Sequence, residues 1–290
     1  MANDKLAKVV KAIESSDLGS IKVILSGLVK LANDPMANIK DLQNIIKLDP
    51  PLAGKILSVA NSAYYATQRR FNNIEQAVIW IGLEAVKEIA LSQFACDIFT
   101  MNSKKHRIRS RLSLWRHSLV VAILAKLIYR RELGKPGGNA FTAGIIHDIG
   151  LIFEDQHLNG DFVTVLEEMD EYDGSIVDIE QKVLGFDHAG LAMTIANRWD
   201  FPSDIAFALA GHHGPDSTPS NFRMLTNVIF LCDNVSHDMG FGFYELSQEQ
   251  VNENIKNSLE LLQIDEHSLD LLSEDVNFEL DNMLKNFSPF

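Results

Sequence analysis

Cysteine is nearly absent: 290 residues contain two, Cys96 and Cys232, far apart and each inside apolar sequence. That excludes a disulfide framework and a zinc knuckle, and predicts reduced core thiols in a cytoplasmic protein. No run of about 18 apolar residues occurs, so no membrane-spanning helix is expected. The opening MANDKLAKVVKAIESSDLGS lacks the apolar core of a signal peptide. Positive charge is in deficit, with 26 Lys and Arg against 39 Asp and Glu and a net charge of −13. Neutralising phosphates needs a basic surface, so nucleic acid is not an expected partner. Sustained strand alternation between turn signals is missing as well.

What is present is helical period. ILSGLVKLA (24–32), DLQNIIKL (41–48) and PLAGKILSVA (51–60) space apolar residues by three and four. Pro51 suits a first helical turn, where its missing N–H is no loss. IEQAVIWIGLEAVKEIALSQFA reads as a helix pair around Gly82, and a long helix is expected over about 111–132. AFTAGIIHDIGLIFEDQ, a stretch at 161–170, SIVDIEQKVLG, HAGLAMTIANRW, SDIAFALAGHH and NFRMLTNVIFLCDNVSH follow as helices, with a turn at Asp173-Gly174. Gly185 ends one of them and Asp187 caps the next. Ser247-Gln248-Glu249-Gln250 opens an acidic helical tail with a capping-box pattern. The expected fold is all-α and two-lobed: an N-terminal helical lobe over 1–105, a second over 106–240 and the tail over 241–290.

The charge is unevenly spread. Residues 104–131 hold nine Lys or Arg and no acid, whereas residues 245–290 hold eleven acids and two lysines. The plain reading of the basic run is a helix face that partners acidic surface elsewhere in the fold. The sharper one is a phosphate-binding rim near His117.

The histidines carry the chemical signal. His117 lies on the long helix, and His147-Asp148 sits in GIIHDIG. His188 starts a helix after a cap, His212-His213 ends another, and Asp233 lies in IFLCDNV. Each has an ordinary role if taken singly. His117 could bond a core carbonyl, His212-His213 could favour a helix C-terminus, and Asp233 could cap a helix or pair with Arg223. Jointly, five helices each deliver a His or Asp from an apolar face. Imidazole and carboxylate without thiolate suit iron, manganese, zinc or nickel. Seven such groups exceed one tetrahedral zinc and suit two ions with a bridging carboxylate. His106, His157, His237 and His267 have polar neighbours and read as surface residues.

In order and rough spacing, these seven positions resemble the ligands of the HD superfamily of metal-dependent phosphohydrolases, in particular its HD-GYP branch. The N-terminal half resembles the HDOD family, the HD-related output domain of bacterial signalling proteins. That likeness rests on Leu48-Asp49-Pro50, on ILSVANS at 56–62 and on IEQAVIWIGL at 74–83, and it extends from about residue 15 to 240. It implies an all-helical fold and a role in bacterial signal transduction. It also implies a binuclear site with iron or manganese favoured over zinc or nickel. Asp148 would bridge; His117, His147 and Asp233 would serve one ion, and His188, His212 and His213 the other.

Two positions depart from the HD-GYP pattern. Its enzymes usually continue HDIG with a lysine that contacts substrate phosphate, and here the residue is Leu151. The glycine-tyrosine-proline signature is replaced by Gly211-His212-His213-Gly214-Pro215-Asp216. The expected function is therefore a regulatory HDOD protein with a metal-binding HD-type site, which engages a signalling protein partner or a nucleotide ligand. The alternative is a metal-dependent phosphohydrolase of a nucleotide or cyclic dinucleotide, with Arg116 and the basic stretch before it standing in for the lysine.

Overall fold

The helical period of the sequence becomes helix along the chain. A computed structural model describes residues 2–15, 19–62, 65, 70–101, 108–169, 175–244 and 246–284, and no strand occurs among them. The first lobe comprises α1 (Ala2–Ser15), α2 (Gly19–Asn33), α3 (Ile39–Ile46), α4 (Pro50–Ala60), α5 (Ile74–Ile81) and α6 (Leu83–Thr100). Local chemistry sets its boundaries. Asp49 caps α4 through the Leu52 N–H, with proline in the first turn. Gly82 takes φ +87° where α5 turns into α6. The proposed lobe boundary at 105, His106 and the turn at Asp173-Gly174 all lie outside the described residues.

The second part begins with α7 (Ile108–Arg131), then α8 (Gly138–Ile146), α9 (Ile149–His157), α10 (Asn159–Met169) and α11 (Ile176–Val183). It continues with α12 (His188–Arg198), α13 (Ser203–Gly211), α14 (Arg223–Asp238), α15 (Gln248–Leu262) and α16 (Glu266–Leu284). α7 is the axis of the assembly and packs against α6, α8, α14 and α16. By length and composition it could cross a membrane, yet 83% of its most apolar window is buried inside the protein. One continuous apolar core runs from Val9 in α1 to Met283 in α16. Cys96 and Cys232 are both buried in it as free thiols, and burial pushes the Cys96 thiol up to about 12.

The basic run does partner acids. Lys126 reaches Glu88 of α6 at 3.2 Å and Glu279 of α16 at 3.1 Å. Arg131 pairs with Asp275 of α16. Arg111 is buried; its Nε donates to Asp155 of α9 at 2.7 Å, and Nη1 donates to the Met101 carbonyl at 2.7 Å. A buried pair of this kind costs desolvation and is tolerated because its polar atoms are satisfied. It ties the end of the first lobe to the helix that follows His147-Asp148.

The stretch expected as one helix over AFTAGIIHDIGLIFEDQ is in fact two. α8 ends at Ile146 and α9 starts at Ile149, with His147 and Asp148 at the joint between them. The glycines flanking the motif explain how tightly this corner packs. A Cβ on Gly144 would lie 2.6 Å from Ala122 Cα of α7, and one on Gly150 would lie 2.1 Å from the His188 carbonyl oxygen of α12. Only glycine permits either approach. One therefore seats the joint against the helix carrying His117, and the other against the helix that starts at His188.

Candidate metal centre

All seven residues singled out by the sequence come together. They arrive from α7 (His117), the α8–α9 joint (His147, Asp148), the start of α12 (His188), the end of α13 (His212, His213) and α14 (Asp233). His117, His147, Asp148, His188, His212 and Asp233 are buried, and His213 is the most open at 19% side-chain exposure.

Asp148 stands at the centre, and its two oxygens face different groups. Oδ2 lies 3.3 Å from His147 Nε2 and 3.5 Å from His117 Nε2. Oδ1 lies 3.4 Å from both His188 Nε2 and His212 Nε2. On the first side, His117 Nε2 is 3.2 Å from His147 Nε2 and 3.1 Å from Asp233 Oδ1. On the second, His188 Nε2 is 3.2 Å from His212 Nε2 and 3.0 Å from His213 Nε2. The α14 aspartate does not pair with Arg223, whose guanidinium donates to the Thr218 and Asp216 carbonyls.

The tautomers decide what those short separations mean. A carbonyl can only accept, so His147 Nδ1–H donates to Gly144 O at 2.8 Å and His212 Nδ1–H to Leu209 O at 2.7 Å. His188 Nδ1–H donates to Glu180 Oε2 at 2.7 Å. In their neutral forms, all three rings then turn an Nε2 lone pair toward Asp148. Lone pairs facing one another and a carboxylate repel unless a proton or a cation lies between them. Donors about 2.1 Å from a common ion sit roughly 3.0–3.4 Å apart when adjacent around it, which is the spacing seen here. The donor set therefore fits transition-metal cations.

Burial raises the Asp148 carboxyl, but His147, His188 and His212 outweigh it and hold the group well below its usual range. Asp233 is likewise held low, chiefly by its contact with His117 against the penalty of burial. Two buried carboxylates thus stay ionised and need positive charge beside them. Burial lowers His188, but the Glu180 and Asp148 carboxylates more than offset it and raise its pKa well up. His213, facing other imidazoles, is pushed well down by burial and by His212.

Three participants were missed at the sequence level. His237, read as a surface residue from its polar neighbours, has only 4% of its side chain exposed. Its ring meets His117 edge-on at 5.5 Å. The missed signal was spacing: Asp233 and His237 stand four apart on one helix and share a face. Glu180 of α11 is fully buried and orients His188. Glu154 of α9 lies behind it, where burial and the Glu180 charge push its carboxyl well up.

The candidates for phosphate contact sit elsewhere. Arg116 is exposed, turned roughly 100° around α7 from buried His117. Leu151 is 1% exposed and lines a small cavity of about 30 Å³ with Leu114, Ile152, Phe162 and Phe243, beside the Arg111–Asp155 pair.

The chain resembles solved structures over nearly its whole length. A Geobacter sulfurreducens "HDOD domain protein with unknown function" is 22% identical, with 97% of each chain covered and a TM-score of 0.74. A Shewanella amazonensis protein named "Putative phosphohydrolase" is 18% identical, with 98% of each chain covered and a TM-score of 0.72. A Marinobacter aquaeolei "Putative signal transduction protein" is 17% identical at a TM-score of 0.72, covering 98% of this chain and 64% of that one. At these identities the likeness is one of fold. A Treponema pallidum protein of no assigned function is 19% identical over 217 residues, and this chain spans 41% of its length. The HDOD domain family model matches residues 18–215. With its helical lobes in place and two thirds of its length matched, the chain belongs to the HDOD family.

Proposed function

We propose that this chain is a regulatory HDOD protein of bacterial signal transduction that carries a binuclear transition-metal centre. Its ligands would be His117, His147, Asp148, His188, His212, His213 and Asp233. The observation that carries the reading is Asp148, whose two oxygens each face a separate group of imidazole nitrogens. Iron or manganese suits this all-His/Asp set best, ahead of zinc or nickel. A pair of divalent ions there would supply Lewis acidity toward an oxyanion. The chain's own residues orient and shield that centre: Gly144 O, Leu209 O and Glu180 fix three imidazoles, and burial excludes water.

Regulation is favoured over phosphodiester hydrolysis because, among the described residues, neither position 151 nor Arg116 offers a cation in place of the missing lysine. Leu151 points into apolar packing, and Arg116 faces solvent. Removing one such charge-stabilising donor commonly costs about 3–4 kcal/mol of transition-state stabilisation. Two buried free thiols agree with a reducing cytoplasm, and the functional partner is a signalling protein or a nucleotide ligand rather than nucleic acid. The test is metal analysis of anaerobically purified protein and of Asp148→Ala, followed by a cyclic-dinucleotide hydrolysis assay on both. Two ions per chain in the native protein, none in the variant and no turnover by either is the expected result. Turnover by the native protein that disappears in Asp148→Ala would make it a phosphohydrolase instead.

A further inference from the structure

We propose that His237 is an additional protein ligand, through Nε2, on the His117–Asp233 side of the centre, which makes its two halves unequal. This rests on the metal-centre reading above. His237 Nε2 is buried and has no hydrogen-bond partner. A ring nitrogen of histidine always carries either a proton or a lone pair, so an orphaned one in the interior is costly. The atom lies 3.8 Å from Asp233 Oδ1, too long for a hydrogen bond but within the span of two ligands on one ion. The ligating atoms of His117, Asp233 and His237 all lie within 4.8 Å of one another.

The ring is also held in place. One contact is the edge of His117 at 5.5 Å, and another is Tyr244 at 4.8 Å and 59°. The segment after α14 closes over it so tightly that a Cβ on Gly242 would meet His237 Nδ1 at 2.2 Å. A surface histidine has no need of such a fixture. A ligand does, because its nitrogen must be presented in one orientation.

The consequence is asymmetry. The first half then holds two overlapping triads that share His117, one with His147 and an Asp148 oxygen and one with Asp233 and His237. The second offers His188, His212, His213 and the other Asp148 oxygen, so it keeps more open positions at an equal coordination number. It also lies beside His213, the most exposed of the set. A small exogenous anion would enter there.

The decisive experiment loads the full-length chain anaerobically with ferrous iron and measures ions retained per chain against a graded chelator. The variants are His237→Phe, which keeps a ring between His117 and Tyr244 but removes the nitrogen, and His237→Ala, which reads the same position if phenylalanine does not fit under Gly242. Far-UV circular dichroism checks that each keeps its helices. Expected is loss of one of the two ions at least about tenfold more readily than in the native protein, with the second retained as before. His237→Gln, which restores a donor atom, should recover part of the loss. Retention of both ions with native affinity by both ring-nitrogen-free variants would overturn the ligand role and leave the metal centre standing. A native protein that retains no iron would overturn the centre and this proposal with it.

Discussion

Glu180 uses one oxygen, Oε2, to accept both the backbone N–H of His188 at 2.9 Å and its ring Nδ1–H at 2.7 Å. A single carboxylate thus fixes the start of α12 and the orientation of the imidazole that faces Asp148. Accepting the ring N–H makes Nε2 of His188 more basic.

Glu180→Gln should keep the shape of this contact and remove its charge. Partners of this kind typically contribute about 10–100-fold in metal affinity, and a loss in that range is expected in a chelator competition. Unchanged affinity would mean that Glu180 serves only to hold α12.

The Glu154 carboxyl behind it gives the protein a pH signature. Its folded pKa is raised above the ordinary 4.5 by burial and by Glu180. The proton it holds therefore adds stability fully below about 4.5, and that contribution is lost as pH rises toward the raised folded value. Glu154→Gln, which has no carboxyl to ionise, should flatten that decline. Urea unfolding of metal-free protein from pH 4 to pH 8 should show the variant gaining on the native chain as pH rises. Parallel curves would remove Glu154 from the account.

Leu151→Lys restores the residue that the related enzymes carry, yet it should not restore hydrolysis. The new ammonium would enter an apolar pocket beside Arg111, and an uncompensated buried charge costs about 3 kcal/mol or more. Thermal melting should show a clear loss of stability with no gain of phosphodiesterase activity. A stable variant that hydrolyses a cyclic dinucleotide would show that one cation was all the site lacked.

Gly150→Ala tests the corner itself. The added methyl would meet the His188 carbonyl oxygen at 2.1 Å, a backbone contact that cannot rotate away. A cost near the top of the overpacking range, about 3 kcal/mol, is expected in denaturant unfolding, together with weaker metal retention because His188 must move. A neutral substitution would show that α9 and α12 have room to part.

Much of this molecule was legible in its sequence. Asp187 and Ser247 cap α12 and α15 as their side-chain chemistry suggests. His117, His147, Asp148, His188 and Asp233 stood out because each interrupts an apolar run. His237 did not, since its flanks are polar and only the helical turn shared with Asp233 places it inward. Glu180 and Glu154 were hidden in the opposite way. An isolated glutamate in an amphipathic helix normally faces solvent, and here the partner that makes its burial tolerable comes from another helix.

The sequence alone determined the helical class, the caps, the reduced thiols and the kinds of donor atom available, because each follows from chemistry within a few neighbouring residues. Only the tertiary structure decided that nitrogens from α7, α12 and α13 should lie 3.0–3.5 Å from one another or from the oxygens of Asp148. Those separations depend on how closely whole helices approach. That approach is governed by contacts between distant segments, such as Gly144 on Ala122 and Gly150 on His188, which no local periodicity encodes.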